Sequence, residues 1–535
     1  MIRTIKKIKS GVRQRWLHHS NDLRLAKLAG GIKNNSKAAN NAPVIFMGVS
    51  TRLQGMSLNA GFALITKWSL QLQGIPVIQF VCDSGMDHCM LGSTLNHPLD
   101  KPPCAICIRQ SKNMFKHSEV VWFKNSPSSE LKDQIENFST QQLSAYEFDG
   151  IPLGALVLPA IRWVLRCYHL PEIEENKILY RSYILAAYNI AQKFEKLIEI
   201  ENPQKVIVFN GMSFPEATVK WVAQKNNIPV VTHEVGLQPF TAFFTYDQAT
   251  AYPIEVPEQF ELSVSQNKTL DQYLEQRFQG NFTMAGVRFW PTIKTMSDSF
   301  NNLSSSFAQI VPIFTNVIFD TSQSHANVLF DHMFDWLDHV LTIIQSHPET
   351  LFVIRAHPDE ARPGKSSRES VAEWAKLNRV DTLENVVLFD SNEYFSSYEL
   401  IQKSKFVMIY NSTIGLEATL LGIPVLCAGK SRFTQIETVY YPKSQIDYIQ
   451  TFENFLKTEK IETPELFIKN TRKFLYTQLY RVSLPFDRFL EEDRVWKGYV
   501  QLKEFNWQDL LPENSKTMKI ITEGILKDSA FVLEI

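Results

Sequence analysis

Several short stretches of this 535-residue chain carry side chains suited to holding a phosphate and moving a proton. Residues 404–430 read SKFVMIYNSTIGLEATLLGIPVLCAGK, and Ser412, Thr413 and Gly415 stand where an apolar run gives way to a helical pattern. Helix N-termini offer free N–H groups and a partial positive charge, so this junction suits a phosphate. One turn on, Glu417 suits sugar hydroxyls. Arg355-Ala356-His357-Pro358 closes an earlier apolar run and adds a guanidinium and an imidazole, with the proline fixing the loop. Asn316 to Asp320 follow a third run. In the first half of the chain, Asn210-Gly211 and His233-Glu234 end two more runs and would face the same cleft. A general base must reach an acceptor hydroxyl, and Glu234 is the expected one, with His233 the alternative and Asp320 a weaker competitor. Taken singly, His-Pro is usually a loop and Ser-Thr before a helix usually a cap. Their recurrence at the ends of successive strands argues for a site.

Four of the six cysteines, Cys82, Cys89, Cys104 and Cys107, are spaced C-x6-C-x14-C-x2-C. Such spacing suits a structural zinc ion or an iron–sulfur cluster, with His88 and His97 as substitute ligands and free thiols or a conditional disulfide as the plain alternative. Cys167 and Cys427 lie in apolar surroundings and read as core. No Asp-x-Asp triplet occurs, so no catalytic metal is expected at the phosphate site.

Positioning these groups requires strands that end at them. Apolar runs over 44–49, 77–81, 205–209 and 229–232 alternate with helical periodicity over 58–72, 180–198 and 215–225. A second set has strands over 310–314, 351–355, 386–389, 406–410 and 425–428, with helices over 328–346 and 367–377. Short links between alternating strands and helices predict parallel, doubly wound sheets, whose ligands bind beyond the carboxyl ends of the strands. The expected divisions are a basic lead (1–42), a first Rossmann-like domain (43–305) holding the cysteine-rich loop (82–107), a second (306–462), and a helical segment (463–535) that packs back on the first.

With 55 basic and 56 acidic residues the chain carries a formal charge of −1, which excludes a general nucleic-acid binder. Residues 1–40 nevertheless hold ten Lys and Arg against Asp22 alone, with Ile2, Ile5, Ile8, Val12, Trp16 and Leu17 at near-helical spacing. This lead suits an anionic membrane surface or simply a solvated helix. No leader-like apolar segment follows it and no run spans a bilayer, so the expected location is cytoplasmic, peripheral at most on the inner face of the membrane.

FVIRAHPDE, followed by NSTIGLEATLLGIPV, resembles the bacterial capsule polysaccharide biosynthesis proteins. The similarity extends loosely over most of residues 43–535 and includes KFLYTQLYRVSLPF near the end. It implies a glycosyltransferase of the GT-B architecture, with two Rossmann-like domains facing a cleft. It also implies a nucleotide-sugar donor, such as a CMP-linked sugar, and a surface polysaccharide or lipid-linked acceptor. Carried over, His357, Ser412 and Thr413 hold the nucleotide phosphate and Glu417 the ribose. A related layout in glycerophosphate polymerases keeps CDP-linked donors open. A nucleotide-sugar 2-epimerase and a non-catalytic assembly factor are the other readings.

Overall fold

The computed structural model describes residues 2–37, 41–48, 55–246, 248–250, 254–279, 294–362 and 366–534. Two parallel α/β sheets dominate it. In the first half, β1 (Val44–Met47), β2 (Val77–Cys82), β3 (Glu119–Phe123), β4 (Lys205–Phe209), β5 (Val230–Val235) and β6 (Thr241–Thr245) form one sheet. In the second half, β7 (Gln309–Phe314), β8 (Thr350–Arg355), β9 (Val386–Phe389), β10 (Val407–Ile409) and β11 (Val425–Cys427) form another. A short β12 (Leu484–Pro485) then returns to the first sheet, whose order is β12–β6–β5–β4–β1–β2–β3. The second sheet runs β11–β10–β7–β8–β9, all parallel. In the first only β6 is reversed, pairing antiparallel with both β5 and β12.

Both orders reverse direction beside their first strand, between β1 and β4 in one sheet and between β7 and β10 in the other. Those reversal points open crevices at the strands' carboxyl ends. The strands are near-continuous Val, Ile and Phe because helices cover both faces. The expected fold, two Rossmann-like units with the C-terminal segment on the first, is what the chain adopts. Leu484, Phe486, Leu490, Met518, Ile521 and Ile525 share one core cluster with Val44, Phe46 and the helix Leu58–Leu72. Around the second sheet, one core cluster takes in residues upstream of β7. Ala249, Ile254, Leu270, Leu274 and Phe300 pack there with Leu351, Val407 and Leu416.

The first helix, Ile2–Asn35, buries Leu25, Leu28, Ala29 and Ile32 in the first core. The side chains of Ile2, Ile5, Ile8, Val12 and Trp16, which carry the membrane-surface expectation, lie outside the described residues. Among the described residues no helix is long and apolar enough to cross a membrane.

Glu369 joins the two halves. Its carboxylate accepts N–H bonds from Tyr168 (2.8 Å) and His169 (3.1 Å) and lies 2.5 Å from His169 Nδ1. The Arg368 amide adds a bond to the Arg166 carbonyl at 2.8 Å.

Lys67 lies fully buried in the helix Leu58–Leu72, its Nζ donating to Ser118 Oγ at 3.0 Å and lying 5.2 Å from the Phe115 ring centroid. Burial pushes its amine from the ordinary 10.5 down to about 7. Between those pH values the unfolded chain holds a proton that the folded chain has released, so stability rises with pH through that window. Lys67→Met is therefore expected to raise the urea midpoint most below pH 7. The gain should shrink towards pH 10.5, and a gain independent of pH would refute this account.

Candidate functional site

The crevice of the first sheet is built by β4, β5 and the start of the helix Leu58–Leu72. Glu234, near the end of β5, receives three N–H donors. Asn59 Nδ2 lies 3.0 Å from Oε1, Asn210 Nδ2 3.0 Å from Oε2, and the Val235 amide 2.8 Å from Oε1. Asn210 and Gly211 both adopt positive φ (59° and 81°), the tight turn that brings the Asn210 amide back onto β5. Asn210 Oδ1 in turn accepts from the Met212 amide at 3.1 Å.

His233 does not share this crevice. Successive strand residues point to opposite faces, and His233 is buried on the other side, its Nδ1 3.2 Å from Asn59 Oδ1. Burial pushes its imidazole down to about 3, so the ring is neutral at physiological pH. The expectation that His233 and Glu234 face one cleft is thus corrected, and His233 acts through Asn59 as a support for Glu234.

A cavity of about 580 Å³ opens beside Glu234. Its polar end is Ser57, Asn59, Asn210 and Glu234. Its body is apolar, with Met86, Met90, Ile108, Trp163 and Phe214, and the four cysteines line it as well. Thr321, from the second half of the chain, closes it. The cavity therefore spans the two halves.

In the second sheet, Asn316 (after β7) and Asn411 (after β10) meet across the reversal point, Asn316 Nδ2 donating to Asn411 Oδ1. Gln323 Nε2 donates to the same oxygen at 3.3 Å. This leaves Asn316 Oδ1 and Gln323 Oε1 buried without a hydrogen-bond partner, a state that costs free energy unless a donor arrives. Two such acceptor oxygens beside the β7–β10 reversal point would suit the hydroxyls or amino group of a ligand.

His357 accepts the Asp359 amide on Nδ1 at 3.1 Å, which sets its ring proton on Nε2. Burial lowers its affinity for a second proton, against the opposing pull of Asp359 and Asp320. Asp320 itself is exposed, and its Oδ1 caps the Ser322 amide at 2.9 Å. Arg355 is buried and turned towards β9, its Nη1 donating to the Asp390 carbonyl at 3.2 Å.

Ser412 and Thr413 precede the short helix Ile414–Leu420, and Thr413 makes no side-chain cap. Gly415 serves close packing, since a Cβ there would come within 2.4 Å of Ile409 Cδ1. Glu417 is committed elsewhere. Arg277 reaches its Oε1 through Nε (2.7 Å) and Nη2 (2.6 Å), and the Tyr398 hydroxyl donates to its Oε2. Both oxygens are engaged in a buried cluster, which holds Glu417 to Arg277 and Tyr398 and argues against the ribose role.

Two Rossmann-like units that share a cavity fit the GT-B class of architecture. Residues 294–439, which carry β7 through β11, match the family described as capsule polysaccharide biosynthesis protein, as the resemblance in the sequence implied. No curated protein matches the chain. Similar solved structures include the KpsC beta Kdo 2,4 transferase of Thermosulfurimonas dismutans (12% identity, TM-score 0.36), with 53% of this chain covering 81% of that one. The beta Kdo 2,7 transferase of the same KpsC matches at 13% identity and TM-score 0.31 over 53% and 80% of the two chains. The UDP-GlcNAc 2-epimerase of Neisseria meningitidis matches at 14% identity and TM-score 0.25 over 82% and 98%.

Proposed function

We propose that the protein is a glycosyltransferase of capsule or related surface-polysaccharide synthesis, moving a sugar from a nucleotide-sugar donor to an acceptor hydroxyl. The observation that carries this reading is Glu234. It is a carboxylate oriented by three N–H donors at the polar end of a cavity that runs to Thr321, next to Asp320 and the His357 loop.

In this reading Glu234 takes the proton of the acceptor hydroxyl as that oxygen attacks the anomeric carbon. The departing nucleotide phosphate gains charge, and the Nε2–H of His357, with Ser412 and Thr413, receives it. Asn316 and Gln323 supply acceptor oxygens to donor hydroxyls. Closure of the two halves over the cavity keeps water from the activated sugar. Its apolar body favours an acceptor with a lipid or other apolar portion, and a CMP-linked sugar is the first donor to test.

The test incubates the pure protein with labelled CMP-, CDP-, UDP- and GDP-linked donors, with and without lipid-linked acceptors. Transfer that requires acceptor supports the reading. An isomerised sugar from donor alone would mark an epimerase, transfer of glycerol phosphate would mark a glycerophosphotransferase, and no turnover with any donor would overturn the enzyme reading. Because protein groups alone are assigned to the phosphate, EDTA is expected to leave the initial transfer rate largely unchanged unless it strips the cysteine site and unfolds its loop. A prompt loss restored by Mg²⁺ would contradict that assignment.

A further inference from the structure

The glycosyl-transfer reading makes no use of the four cysteines on the cavity wall. Cys82 ends β2, Cys89 sits in the loop over 83–103, and Cys104 and Cys107 occupy the first turn of the helix Cys104–Met114. None of the four is in a disulfide, all are partly buried, and all four line one cavity. They lie within electrostatic range of one another.

Three features set them apart from ordinary core thiols. First, backbone N–H groups fold back onto the cysteines. The Gly85 amide lies 3.1 Å from Cys82 Sγ, and the Gly92 and Ser93 amides donate to the Cys89 carbonyl at 3.0 and 2.9 Å. A neutral thiol is a weak acceptor, whereas metal-bound sulfurs are tuned by such donors. Each donor lies three or four residues after its cysteine, so the chain turns back at Cys82 and at Cys89 as a small knuckle. Second, the i, i+3 spacing puts Cys104 and Cys107 side by side on the first turn of a helix. Third, the two pairs are tied together. A Cβ on Gly92 would come within 2.6 Å of Pro102 Cα, so the knuckle at Cys89 rests on the Pro102-Pro103 segment that leads into Cys104.

The substitute ligands fall away. His88 uses both ring nitrogens, with Ser182 Oγ at 2.9 Å and the Leu99 carbonyl at 3.2 Å, and His97 is exposed.

We propose that Cys82, Cys89, Cys104 and Cys107 form one thiolate site for a soft metal centre, either a single zinc ion or an iron–sulfur cluster. Among the described residues no three His, Cys, Asp or Glu side chains stand arranged to hold a metal ion. Uptake therefore draws the 83–103 loop inward, and each ligating thiol releases its proton to water. That loop has no helix or strand of its own beyond the Thr94–His97 bridge, so it can contract without breaking a sheet. The consequence is a fixed wall for the cavity beside Glu234.

The experiment uses the full chain purified without oxygen, with zinc, iron and acid-labile sulfide measured on the same sample. About one zinc per chain supports the zinc form, and iron with sulfide and a visible charge-transfer band supports the cluster form. The Cys104→Ser/Cys107→Ser variant is expected to lose the metal, whereas Cys167→Ser retains it. A second measurement needs no variant. The chelator-treated native chain is titrated with zinc while thiols reactive towards a disulfide reagent are counted, and those four thiols are expected to become protected together. Metal-free protein whose thiols stay reactive in zinc, or a Cys104–Cys107 disulfide formed in place of metal uptake, would overturn the proposal.

Discussion

Replacing Glu234 with glutamine is expected to slow sugar transfer by about 10²–10⁴-fold while the protein stays folded. Glutamine keeps the size of the side chain but cannot take the proton of an attacking hydroxyl. The donors around it sharpen the expectation. The Asn59 and Asn210 amides lie 3.0 Å from opposite oxygens of Glu234, so they orient the group without covering the cavity side. Asn210→Ala removes one such contact, and its loss of about 1–3 kcal/mol should fall on kcat more than on KM, since it mispositions the base and spares the donor crevice. Steady-state kinetics with saturating donor separates the two. A Glu234→Gln enzyme with near-native kcat would move the base to another residue, with Asp320 next in line.

Removing the Glu417 carboxylate is expected to have the largest effect on stability. Glu417 is 3% exposed and paired with Arg277, which donates also to the Tyr273 hydroxyl at 3.2 Å. The pair fastens the helix Val264–Phe278 to the helix Ile414–Leu420, beside the packing of Leu270 and Leu274 in the same core cluster as Leu416. Glu417→Ala leaves a guanidinium without its counter-charge, at a cost of about 3–5 kcal/mol. Replacing both members with methionine should recover most of that loss, because the desolvation of two charges is then also removed. Urea denaturation of the single and double variants reads this directly. Were Glu417 a ribose ligand instead, the double variant would be stable yet bind donor weakly, and donor KM distinguishes the cases.

The strong strands and helices of both sheets were legible because their apolar periodicity is dense. The helix Leu58–Leu72 and the strands Lys205–Phe209 and Val386–Phe389 are found where the pattern predicts them. β3 escaped notice because it is a half-buried edge strand. The helix Val264–Phe278 escaped because only Leu270 and Leu274 are buried on it. Local spacing placed Asn316, His357 and Glu234 at strand ends, but it could not show what each one touches. Asn59 reaches Glu234 across 175 positions, and Gln323 reaches Asn411 across 88. His233 is different, because strand alternation alone excludes it from the face that Glu234 occupies. Glu417 misled because its burial is created by Arg277 and Tyr398, which the helix-start pattern does not contain.

The return of the chain to its first core has a consequence for the order of events on the ribosome. The helix Leu58–Leu72 packs against Met518, Ile521 and Ile525, and β6 pairs with β12. At synthesis rates of about 5–20 residues per second, roughly 20–90 s separate the emergence of the two helices and roughly 12–48 s that of the two strands. Throughout the first interval Phe62, Ile65 and Trp68 have no cover from the last helix. The nascent first unit thus presents an apolar face to solvent until residues 484–525 have emerged, which makes it a natural client for a chaperone and ties its maturation to that later segment.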